Sequence, residues 1–492
     1  MAKTTNDSMS EKGILIVGLG PGDPGLLTRA AWEALSGAHE IWVRTARHPT
    51  VEALAHLPWR SFDSLYEGRE RFEEVYAAIV SEVLELGRRP GGVVYAVPGD
   101  PHMGEATVEM LRVRAGQADL AVRCLPGVSF LEPTLHLLGL DGLGGVALAD
   151  AVELAMLHHP PFPPSAHAIV AQLYSPEVAS DVKLVLMNQY PETHPVHVVW
   201  HAGLAEARTT CLPLFELDRF AELDHLSSLY VPPLEASAVE EFQETVAHLR
   251  APEGCPWDRE QTHLSLRAHL QEEAYEVLDA LDRQDAHGLR EELGDLLLQI
   301  VLQAQIAAEG GEFRLADVVH DINTKIVRRH PHVFGGVKVD DVGEVLSNWE
   351  AIKADERSAK GESGQGLLNG LPLGLPALLQ ADLIQQRAAR VGFDWRELRG
   401  VLDKVQEEIV EVQAADDEDR RAAEVGDLLF AVVNLARWLK VEPESALREA
   451  NARFRRRFEW MEAEASRRGT SLGDLGLTEL DSMWEEAKRR EI

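Results

Sequence analysis

Cysteine and long hydrophobic stretches are scarce in this 492-residue sequence. The three cysteines, Cys124, Cys211 and Cys255, lie far apart and form no CxxC pair, which argues against a disulfide framework and structural zinc. No run of about 18 uncharged apolar residues occurs, which excludes a membrane-spanning helix. The polar N-terminus, MAKTTNDSMSEKG, lacks the apolar core of a signal peptide. We therefore expect a cytoplasmic protein.

Positive charge is also scarce. The 48 Lys and Arg residues stand against 81 Asp and Glu residues, so the net charge is 48 − 81 = −33. A field of this sign repels phosphate backbones and anionic lipids, so we expect neither a nucleic-acid nor a membrane partner. A phosphorylated substrate would need a local cation or a bound metal. The hydrophobic content of 45% is ordinary and allows globular cores.

The two halves of the chain differ in periodicity. From Gly13 to Pro233, short β-rich runs alternate with helical stretches, which indicates an α/β domain. After Leu234, helix formers recur at 3.6-residue spacing. A Gly/Ser/Pro-rich stretch interrupts this half and is typical of a linker. We predict a multidomain chain with a flexible N-terminus at 1–12, an α/β domain at 13–233, all-α modules at 237–359 and 377–492, and a linker at 360–376.

The helical half contains an internal repeat. HLQEEAYEVLDAL at 269–281 is echoed by KVQEEIVEVQAA at 404–415, and EELGDLLLQIVLQAQ at 291–305 is echoed by AEVGDLLFAVVNLAR at 423–437. The offsets are 407 − 272 = 135 and 427 − 295 = 132 residues. Because a two-copy repeat of this length indicates two similar units, we predict two related helical modules.

Each module carries EExxE on one helix and ExxD on the next. An isolated EExxE is usually a solvated acidic face, but the ExxD helices are strongly apolar and we expect them to be largely buried. Carboxylates that converge beside a buried helix need a partner, and oxygen ligands favour Mg²⁺ or Mn²⁺. Glycine weakens a helix, so Gly294 and Gly426 are expected to mark close approach by another group.

Together with GCPWD at 254–258 and KIVRRHPHVFG at 325–335, this pattern resembles the MazG family of nucleoside triphosphate pyrophosphohydrolases. The resemblance covers about residues 237–492. It implies an all-α fold that assembles as a homodimer and hydrolyses NTP to NMP and pyrophosphate with Mg²⁺. The leading glutamates, Glu272 and Glu407, would bind a second ion or act as the base. The implied metal ligands are Glu273, Glu276, Glu292 and Asp295 in the first module and Glu408, Glu411, Glu424 and Asp427 in the second.

Basic and aromatic residues supply candidates for nucleotide binding. Lys404 lies one turn before Glu408, where the first module has His269. NARFRRRF at 451–458 resembles the family's phosphate-contacting helix, which implies Arg453 and Arg457 as contacts. The family also implies that Trp484 could stack on the base. We therefore expect the second module to be the main catalytic site. Candidate substitutes in the first module are Lys325, Arg328 and Arg329.

ILIVGLGPGDPGLLT at 14–28 is a strand, a glycine-rich turn and a helix start. A dinucleotide-binding turn is one interpretation, but the acid expected about 20 residues further on is missing. With YAVPGDPHMGEAT at 95–107 and LPGVSFLEPT at 125–134, the segment resembles the tetrapyrrole (corrin/porphyrin) methylase family. That family has two α/β lobes with S-adenosylmethionine between them. The cofactor residues that the resemblance implies are Gly18, Gly20, Pro21, Gly22, Gly99, Asp100, Pro101 and Met103.

As a whole, the chain resembles the YabN-type fusions of a tetrapyrrole methylase with MazG modules. Three functions compete. The preferred one is a Mg²⁺-dependent pyrophosphohydrolase with an S-adenosylmethionine-binding-like domain, and it predicts release of pyrophosphate. The second is a methyltransferase that the helical half regulates, and it predicts cofactor binding. The third is a non-catalytic scaffold, which predicts nucleotide binding without turnover. Both carboxylate sets are complete, which favours the first.

Overall fold

The computed structural model describes residues 12–67, 71–220, 222–339, 341–359, 366–372 and 374–490. The chain forms two compact units with their boundary between Thr245 and Val246. The predicted N-terminal segment up to residue 11, and residues 360–365 and 373 of the predicted linker, lie outside the described residues. Among the helices of the described residues, none is long and apolar enough to cross a membrane.

The first unit contains two α/β lobes. The first lobe has five parallel strands, β1 (Ile14–Gly18), β2 (Ile41–Val43), β3 (Trp59–Ser61), β4 (Val93–Val97) and β5 (Val122–Leu125). Their order across the sheet is β3-β2-β4-β1-β5, so β1 lies between β4 and β5. The connecting helices are α1 (Arg29–Ser36), α2 (Thr50–Ala53), α3 (Phe72–Gly87) and α4 (Ala106–Gln117).

Strand β4 shows why this sheet is covered on both faces. Its five residues, VVYAV, are all buried. Val93, Tyr95 and Val97 pack into one core cluster, whereas Val94 and Ala96 pack into another. Successive side chains of a strand point to opposite faces, so a continuous apolar run needs neighbours on both sides.

The second lobe has a mixed sheet in the order β6-β7-β10-β8-β9. Strand β6 pairs with β7 in parallel, and the other neighbouring strands pair antiparallel. The strands are β6 (Val146–Asp150), β7 (His167–Ala171), β8 (Pro195–Trp200), β9 (Arg208–Pro213) and β10 (Ser227–Val231). The helices are α5 (Leu131–Leu138), α6 (Ala151–Ala155) and α7 (Pro176–Leu186).

Helices alone form the second unit, and helix α8 (Val239–Arg250) crosses the boundary into it. The first module continues with α9 (Pro256–Glu260), α10 (Arg267–Asp282), α11 (Ala286–Gly310), α12 (Leu315–Arg329), α13 (Pro331–Phe334) and α14 (Val342–Ala359). The second contains α15 (Ala377–Arg390), α16 (Leu398–Ala414), α17 (Glu418–Trp438), α18 (Pro443–Arg467) and α19 (Leu477–Arg489).

The sequence repeat corresponds to a repeated helix pair. Helix α10 packs against α11, and α16 packs against α17. In each pair an aspartate caps the second helix: Asp285 accepts from the amides of His287 and Gly288, and Asp417 accepts from the amide of Arg420. Because such caps satisfy amides that have no partner within the helix, they fix where the ExxD helix begins.

The expectation that α11 and α17 are largely buried is wrong for the single chain. Leu293 on α11 is 48% exposed and Leu429 on α17 is 54% exposed. The expectation of close approach at Gly294 and Gly426 is also wrong, because a Cβ atom at either position would meet nothing within 4 Å. Both findings have one reason: this face of each helix is open among the described residues.

Candidate active sites: two carboxylate clusters and a glycine-lined crevice

The second module brings three carboxylates together. Glu408 projects from α16, and Glu424 and Asp427 project from α17. One carboxylate oxygen from each lies within 4.8 Å of the other two. The i, i+3 spacing of the ExxD sequence places both of its acids on one face of α17, and the packing of α16 against α17 adds the third. This is the oxygen-rich arrangement that a hard divalent cation requires.

Glu408 is the buried member of this cluster, with 4% of its surface exposed. Its Oε1 accepts from Lys404 Nζ at 2.7 Å, and Lys404 Nζ also lies 2.8 Å from Glu407 Oε1. The Oε2 atom of Glu408 is buried and has no hydrogen-bond partner among the described residues. A buried oxygen without a partner is costly, so this atom is suited to a metal ion.

Glu411 lies near the three clustered acids on the same face of α16. Burial raises the pKa of Glu411, and the charges of Glu408 and Glu424 raise it further. Arg420 Nε lies 3.8 Å from Glu424 Oε1 and provides a nearby positive charge. The structure thus brings Glu411 within electrostatic range of the cluster, although its oxygens are not among the three that group most closely.

The first module has a corresponding cluster. One oxygen each from Glu273, Glu276 and Glu292 lies within 4.8 Å of the others. Burial raises the pKa of Glu273, and the charges of Asp295 and Glu276 add to the shift. The pKa of Glu292 is raised by burial and then by Glu276 and Asp295. Since these groups repel one another, a cation at their centre would relieve an existing electrostatic penalty.

The position that Lys404 occupies in the second module belongs to His269 in the first. His269 Nδ1 lies 3.8 Å from Glu272, and its ring packs edge-on against Trp257 with centroids 6.0 Å apart. Lys404 is instead a permanent cation, because its hydrogen bonds to Glu407 and Glu408 raise the pKa of its amine. The two sites have the same acids in sequence, but Asp295 is outside the closest group of the first and Glu411 is outside that of the second. They also differ in the cation beside them.

Most of the other predicted nucleotide contacts have partners within the chain, on their own helix or on a neighbouring one. Arg453 pairs with Glu449 at 3.4 Å, and the Arg457 guanidinium lies 5.6 Å from the centre of the Trp484 ring. Trp484 is half-buried, in a cluster with Met461 and Met483. In the first module Lys325 is exposed, whereas Arg328 and Arg329 both pair with Glu356 of α14. The roles of these residues in nucleotide binding stay predictions.

In the first unit, three loops meet at the carboxyl ends of β1, β4 and β5. The amide of Gly99 donates to the carbonyl of Gly20 at 2.8 Å, and the amide of Gly20 donates to Gly99 at 3.2 Å. Asp100 Oδ2 accepts from the amide of Gly127 at 3.0 Å, and its Oδ1 accepts from the amide of His102. A crevice outside the carboxyl ends of parallel strands is where open α/β sheets bind ligands.

Glycine is required where these loops touch. A Cβ atom on Gly127 would lie 2.3 Å from the carbonyl oxygen of Gly99, and one on Gly18 would lie 2.6 Å from the same atom. Gly20 and Gly99 also have φ angles of 74° and 64°, a region that side-chain-bearing residues avoid. From the second lobe, a Cβ atom on Gly203 would lie 2.7 Å from Pro21 Cγ. The three glycine-containing loops that the sequence singled out therefore contact one another at the carboxyl end of this sheet, and their role in cofactor binding stays a prediction.

Three supporting residues were not predicted. Thr50 Oγ1 lies 3.0 Å from the carbonyl oxygens of both Leu19 and Gly22, which fixes the first loop. Gly127 follows Pro126 after β5, and that Pro-Gly pair was an available sign of a tight turn. Asp394 binds Arg437 of α17, a contact across 43 residues that no local pattern indicates. The sequence contained no sign of Thr50.

Comparison with known proteins agrees with this division. The model of the tetrapyrrole (corrin/porphyrin) methylases matches residues 13–218. The family model of the MazG nucleotide pyrophosphohydrolase domain matches residues 261–334. The family model of phosphoribosyl-ATP pyrophosphohydrolase matches residues 381–454. Protein YabN of Bacillus subtilis (strain 168) is 42% identical over 493 residues, 97% of this chain and 99% of that protein. The chain belongs to the YabN family.

A second relative matches only the helical half of this YabN family member. It is the nucleoside triphosphate pyrophosphohydrolase/pyrophosphatase MazG of Thermotoga maritima, 47% identical over 249 residues, which are 51% of this chain and 95% of that protein. A similar solved structure is the uroporphyrin-III C-methyl transferase from Thermus thermophilus complexed with S-adenyl homocysteine. The match covers 45% of this chain and 97% of that protein, with 22% sequence identity and a TM-score of 0.34. The predicted fold class, a methylase-like α/β domain followed by tandem helical MazG modules, is confirmed.

Proposed function

We propose that the helical unit hydrolyses nucleoside triphosphates to the monophosphate and pyrophosphate with a divalent metal ion. Two observations carry this proposal: a group of three carboxylates in each module, and a buried Oε2 of Glu408 that has no hydrogen-bond partner among the described residues. The 47% identity to the Thermotoga maritima pyrophosphohydrolase supports the reaction class. The metal-holding residues would be Glu408, Glu411, Glu424 and Asp427 in the second module and Glu273, Glu276, Glu292 and Asp295 in the first.

Bound Mg²⁺ or Mn²⁺ would neutralise the triphosphate and help to activate water, the usual work of such ions in phosphoryl chemistry. The residues of the chain supply the rest. Lys404 places a permanent positive charge one turn from Glu408, which suits it to a phosphate oxygen. Glu407 and Glu272, the leading acids of each pair, are 56% and 64% exposed at the side chain and are available to accept a proton from water.

The second module is proposed as the main catalytic site, because it combines the cluster with Lys404. Arg453, Arg457 and Trp484 stay candidate nucleotide contacts there, and Lys325, Arg328 and Arg329 stay candidates in the first module. To contact a nucleotide, Arg328 and Arg329 would have to break their ion pairs with Glu356. The cytoplasmic location also stays a prediction.

A pyrophosphate-release assay on the purified full chain tests the reaction. We expect pyrophosphate and the matching monophosphate in equal amounts from several NTPs and dNTPs, only when Mg²⁺ or Mn²⁺ is present. Orthophosphate assayed in parallel separates this reaction from γ-phosphate hydrolysis. Absence of pyrophosphate from every nucleotide and metal would overturn the proposal, and tight nucleotide binding without turnover would favour the scaffold hypothesis.

For the first unit, we propose binding of S-adenosylmethionine in the crevice. The carrying observation is the convergence of three glycine-containing loops at the carboxyl ends of β1, β4 and β5, where Gly18 and Gly127 leave no room for a side chain. The proposed contacts are Gly18, Gly20, Pro21, Gly22, Gly99, Asp100, Pro101 and Met103. Titration calorimetry of the full chain with S-adenosylhomocysteine, with the Gly127→Ala variant as the control, tests this. No heat with S-adenosylhomocysteine would contradict both cofactor binding and the methyltransferase hypothesis.

We further propose that the protein is a homodimer. Val425, Leu429 and Val432 share one face of α17 and are 40%, 54% and 45% exposed. Covering such a stripe with a second copy would remove apolar surface from water, which is the main driving force of stable association. Sedimentation velocity tests this: a dimer is expected for the wild type and dissociation for Leu429→Glu. A fully active monomer would contradict it.

A further inference from the structure

The carboxylate of Glu356 on α14 is held by two arginines at the C-terminal end of α12. Arg329 donates from Nε to Oε1 at 3.2 Å and from Nη2 to Oε2, and Arg328 donates from Nη2 to Oε1. The side chains of Glu356 and Arg329 are only 14% and 13% exposed. Both carboxylate oxygens therefore have guanidinium donors, and the contact joins α14 to the end of α12.

This arrangement is one that also suits a phosphate group. A guanidinium presents its N–H groups as a fixed fork that matches the oxygens of a carboxylate or of a phosphate. Around Glu356 the fork comes from Arg329, and Arg328 adds a further donor. Lys353 lies three residues before Glu356 on the same side of α14, with its Nζ 3.4 Å from the centre of the Trp349 ring. The carboxylate thus occupies a site with several cations, in a chain whose net charge is −33.

The second module has an arginine and a tryptophan in the same arrangement. NWEAIK, which contains Trp349, is echoed by MWEEAK, which contains Trp484, at an offset of 484 − 349 = 135 residues. The Arg329 guanidinium lies 5.7 Å from the centre of the Trp349 ring. Likewise, the Arg457 guanidinium lies 5.6 Å from the centre of the Trp484 ring. Glu356 therefore fills, in the first module, the counterpart of the position where Arg457 is a candidate nucleotide contact.

We propose that Glu356 is an internal competitor of phosphate, so that the first module is autoinhibited until a phosphate-bearing ligand displaces this carboxylate from Arg328 and Arg329. The inference rests on the proposed nucleoside triphosphate substrate and adds how access of that substrate to the first module is regulated. The displaced carboxylate would move into water with the end of α14. The basic end of α12 would then be open to the ligand.

The charge of a ligand decides whether it can displace Glu356. Hydrogen bonds from Arg329 and Arg328 lower the pKa of Glu356 to about 2, so the carboxylate stays ionised at physiological pH and protonation does not release it. Because it belongs to the same chain, it competes at a high effective concentration, which excludes anions that bind weakly. A polyphosphate carries several negative charges and gains more from the same cations than a single carboxylate does. The site should therefore admit polyphosphates and exclude singly charged anions.

The test uses inorganic tripolyphosphate as the probe and the full chain in EDTA. Without metal the carboxylate clusters repel the probe, so its binding reports on the basic residues. Calorimetry compares the wild type with Glu356→Gln and with Asp355→Asn, a matched control because Asp355 is an exposed acid beside Glu356 on α14. A third variant, Arg329→Gln, removes the fork. Binding at basic residues elsewhere is common to all the proteins compared.

We expect Glu356→Gln to bind tripolyphosphate about 10-fold more tightly than the wild type, the factor that corresponds to one charge-assisted hydrogen bond that the ligand no longer has to break. Asp355→Asn should change the affinity by less than about 2-fold, because an exposed charge acts through screened repulsion. Arg329→Gln should weaken binding. A purely structural ion pair predicts instead that neither Glu356→Gln nor Arg329→Gln tightens binding.

Hydrogen exchange on the unmutated chain keeps the inference testable if Glu356→Gln does not fold. Tripolyphosphate should speed exchange of the α14 amides near Glu356, because displacement of the carboxylate frees that end of the helix. Unchanged exchange at these amides, or unchanged affinity of a folded Glu356→Gln variant, would overturn the inference.

Pyrophosphate release separates this inference from the proposed function. With Mg²⁺ and with the second site disabled by Asp427→Asn, Glu356→Gln should lower the KM of the first module for nucleoside triphosphates. An unchanged KM would show that Glu356 does not compete with the nucleotide, and the inference would fail while the proposed function stands. Tighter tripolyphosphate binding by Glu356→Gln without pyrophosphate release from any nucleotide would contradict the proposed function and support the competition.

Discussion

The amine of Lys404 lies 2.7 Å from Oε1 of Glu408, the most deeply buried acid of the second cluster. Hydrogen bonds to Glu407 and Glu408 raise the pKa of Lys404, so the amine stays charged across the physiological range. Oε1 of Glu408 accepts from this amine, whereas its buried Oε2 has no hydrogen-bond partner among the described residues. If the proposed function is correct, the second site would have an oxygen for the metal and a cation for a phosphate side by side.

Removal of one metal-holding oxygen should abolish most activity. We expect Glu408→Gln and Asp427→Asn each to lower the rate of pyrophosphate release by about 100-fold or more, because metal ions contribute several kcal/mol to stabilising charge in the transition state. Asp403→Asn is the matched control, since Asp403 is an exposed acid on the same helix, paired with Arg399. Full activity in both site variants would shift the main site to the first module.

Repulsion among the acids of the first cluster should lower the stability of the metal-free protein. The pKa values of Glu273 and Glu292 are raised in the folded chain, so their ionisation costs stability as the pH rises through the raised pKa, and that cost vanishes at lower pH. We expect Glu292→Gln to raise the Tm of the metal-free protein at neutral pH, with a benefit that shrinks on acidification.

In Mg²⁺ the wild type should have the higher Tm of the two proteins, because ion binding would stabilise the wild type more than Glu292→Gln. Differential scanning calorimetry of both proteins, in EDTA and in Mg²⁺, measures the effect. Affinity for Mg²⁺ should also fall as the pH drops, since protons compete for the same oxygens. A variant that is less stable than the wild type in EDTA would contradict mutual repulsion within the cluster.

The ion pairs of Glu356 should stabilise the first module. Arg329 and then Arg328 lower the pKa of Glu356 from 4.5 to about 2, so their contribution is complete above 4.5 and is lost as the pH falls toward 2. Glu356→Gln should cost about 1–3 kcal/mol at neutral pH, the usual range for charged hydrogen bonds, and little at pH 2. Urea unfolding at both pH values measures this, and an equal loss at both would rule out the ionic explanation.

A methyl group at Gly127 should close the crevice. Its Cβ atom would lie 2.3 Å from the carbonyl of Gly99, so Gly127→Ala must push the loops apart and should abolish binding of S-adenosylhomocysteine. Gly116→Ala is the matched control: it lies in α4, its Cβ atom meets nothing within 4 Å, and it should stabilise the protein by up to about 1 kcal/mol. Unchanged binding by Gly127→Ala would place the cofactor elsewhere.

The sequence predicted what depends on local spacing and repetition. EExxE and ExxD at helical intervals identified eight acids, of which six form two groups of three with oxygens within 4.8 Å, whereas Asp295 and Glu411 are outside these groups. Alternating strands and helices predicted the α/β unit. Prediction from the sequence failed for features that depend on contacts between segments far apart in the chain. The apolar pattern of α11 and α17 could not reveal that one face stays open in a single chain, and nothing near Asp394 indicated its bond to Arg437.

Since Lys404 in the second module stands where the first has His269, the two proposed metal sites should respond differently to removal of the metal. When chelation removes the ion, the second site still has a cation between its acids, whereas the acids of the first have only the neighbouring His269, 3.8 Å from Glu272. The second site should therefore keep close to its working shape and recover early as metal returns, while the first recovers late. The two proposed sites of one chain would then regain activity at different metal concentrations.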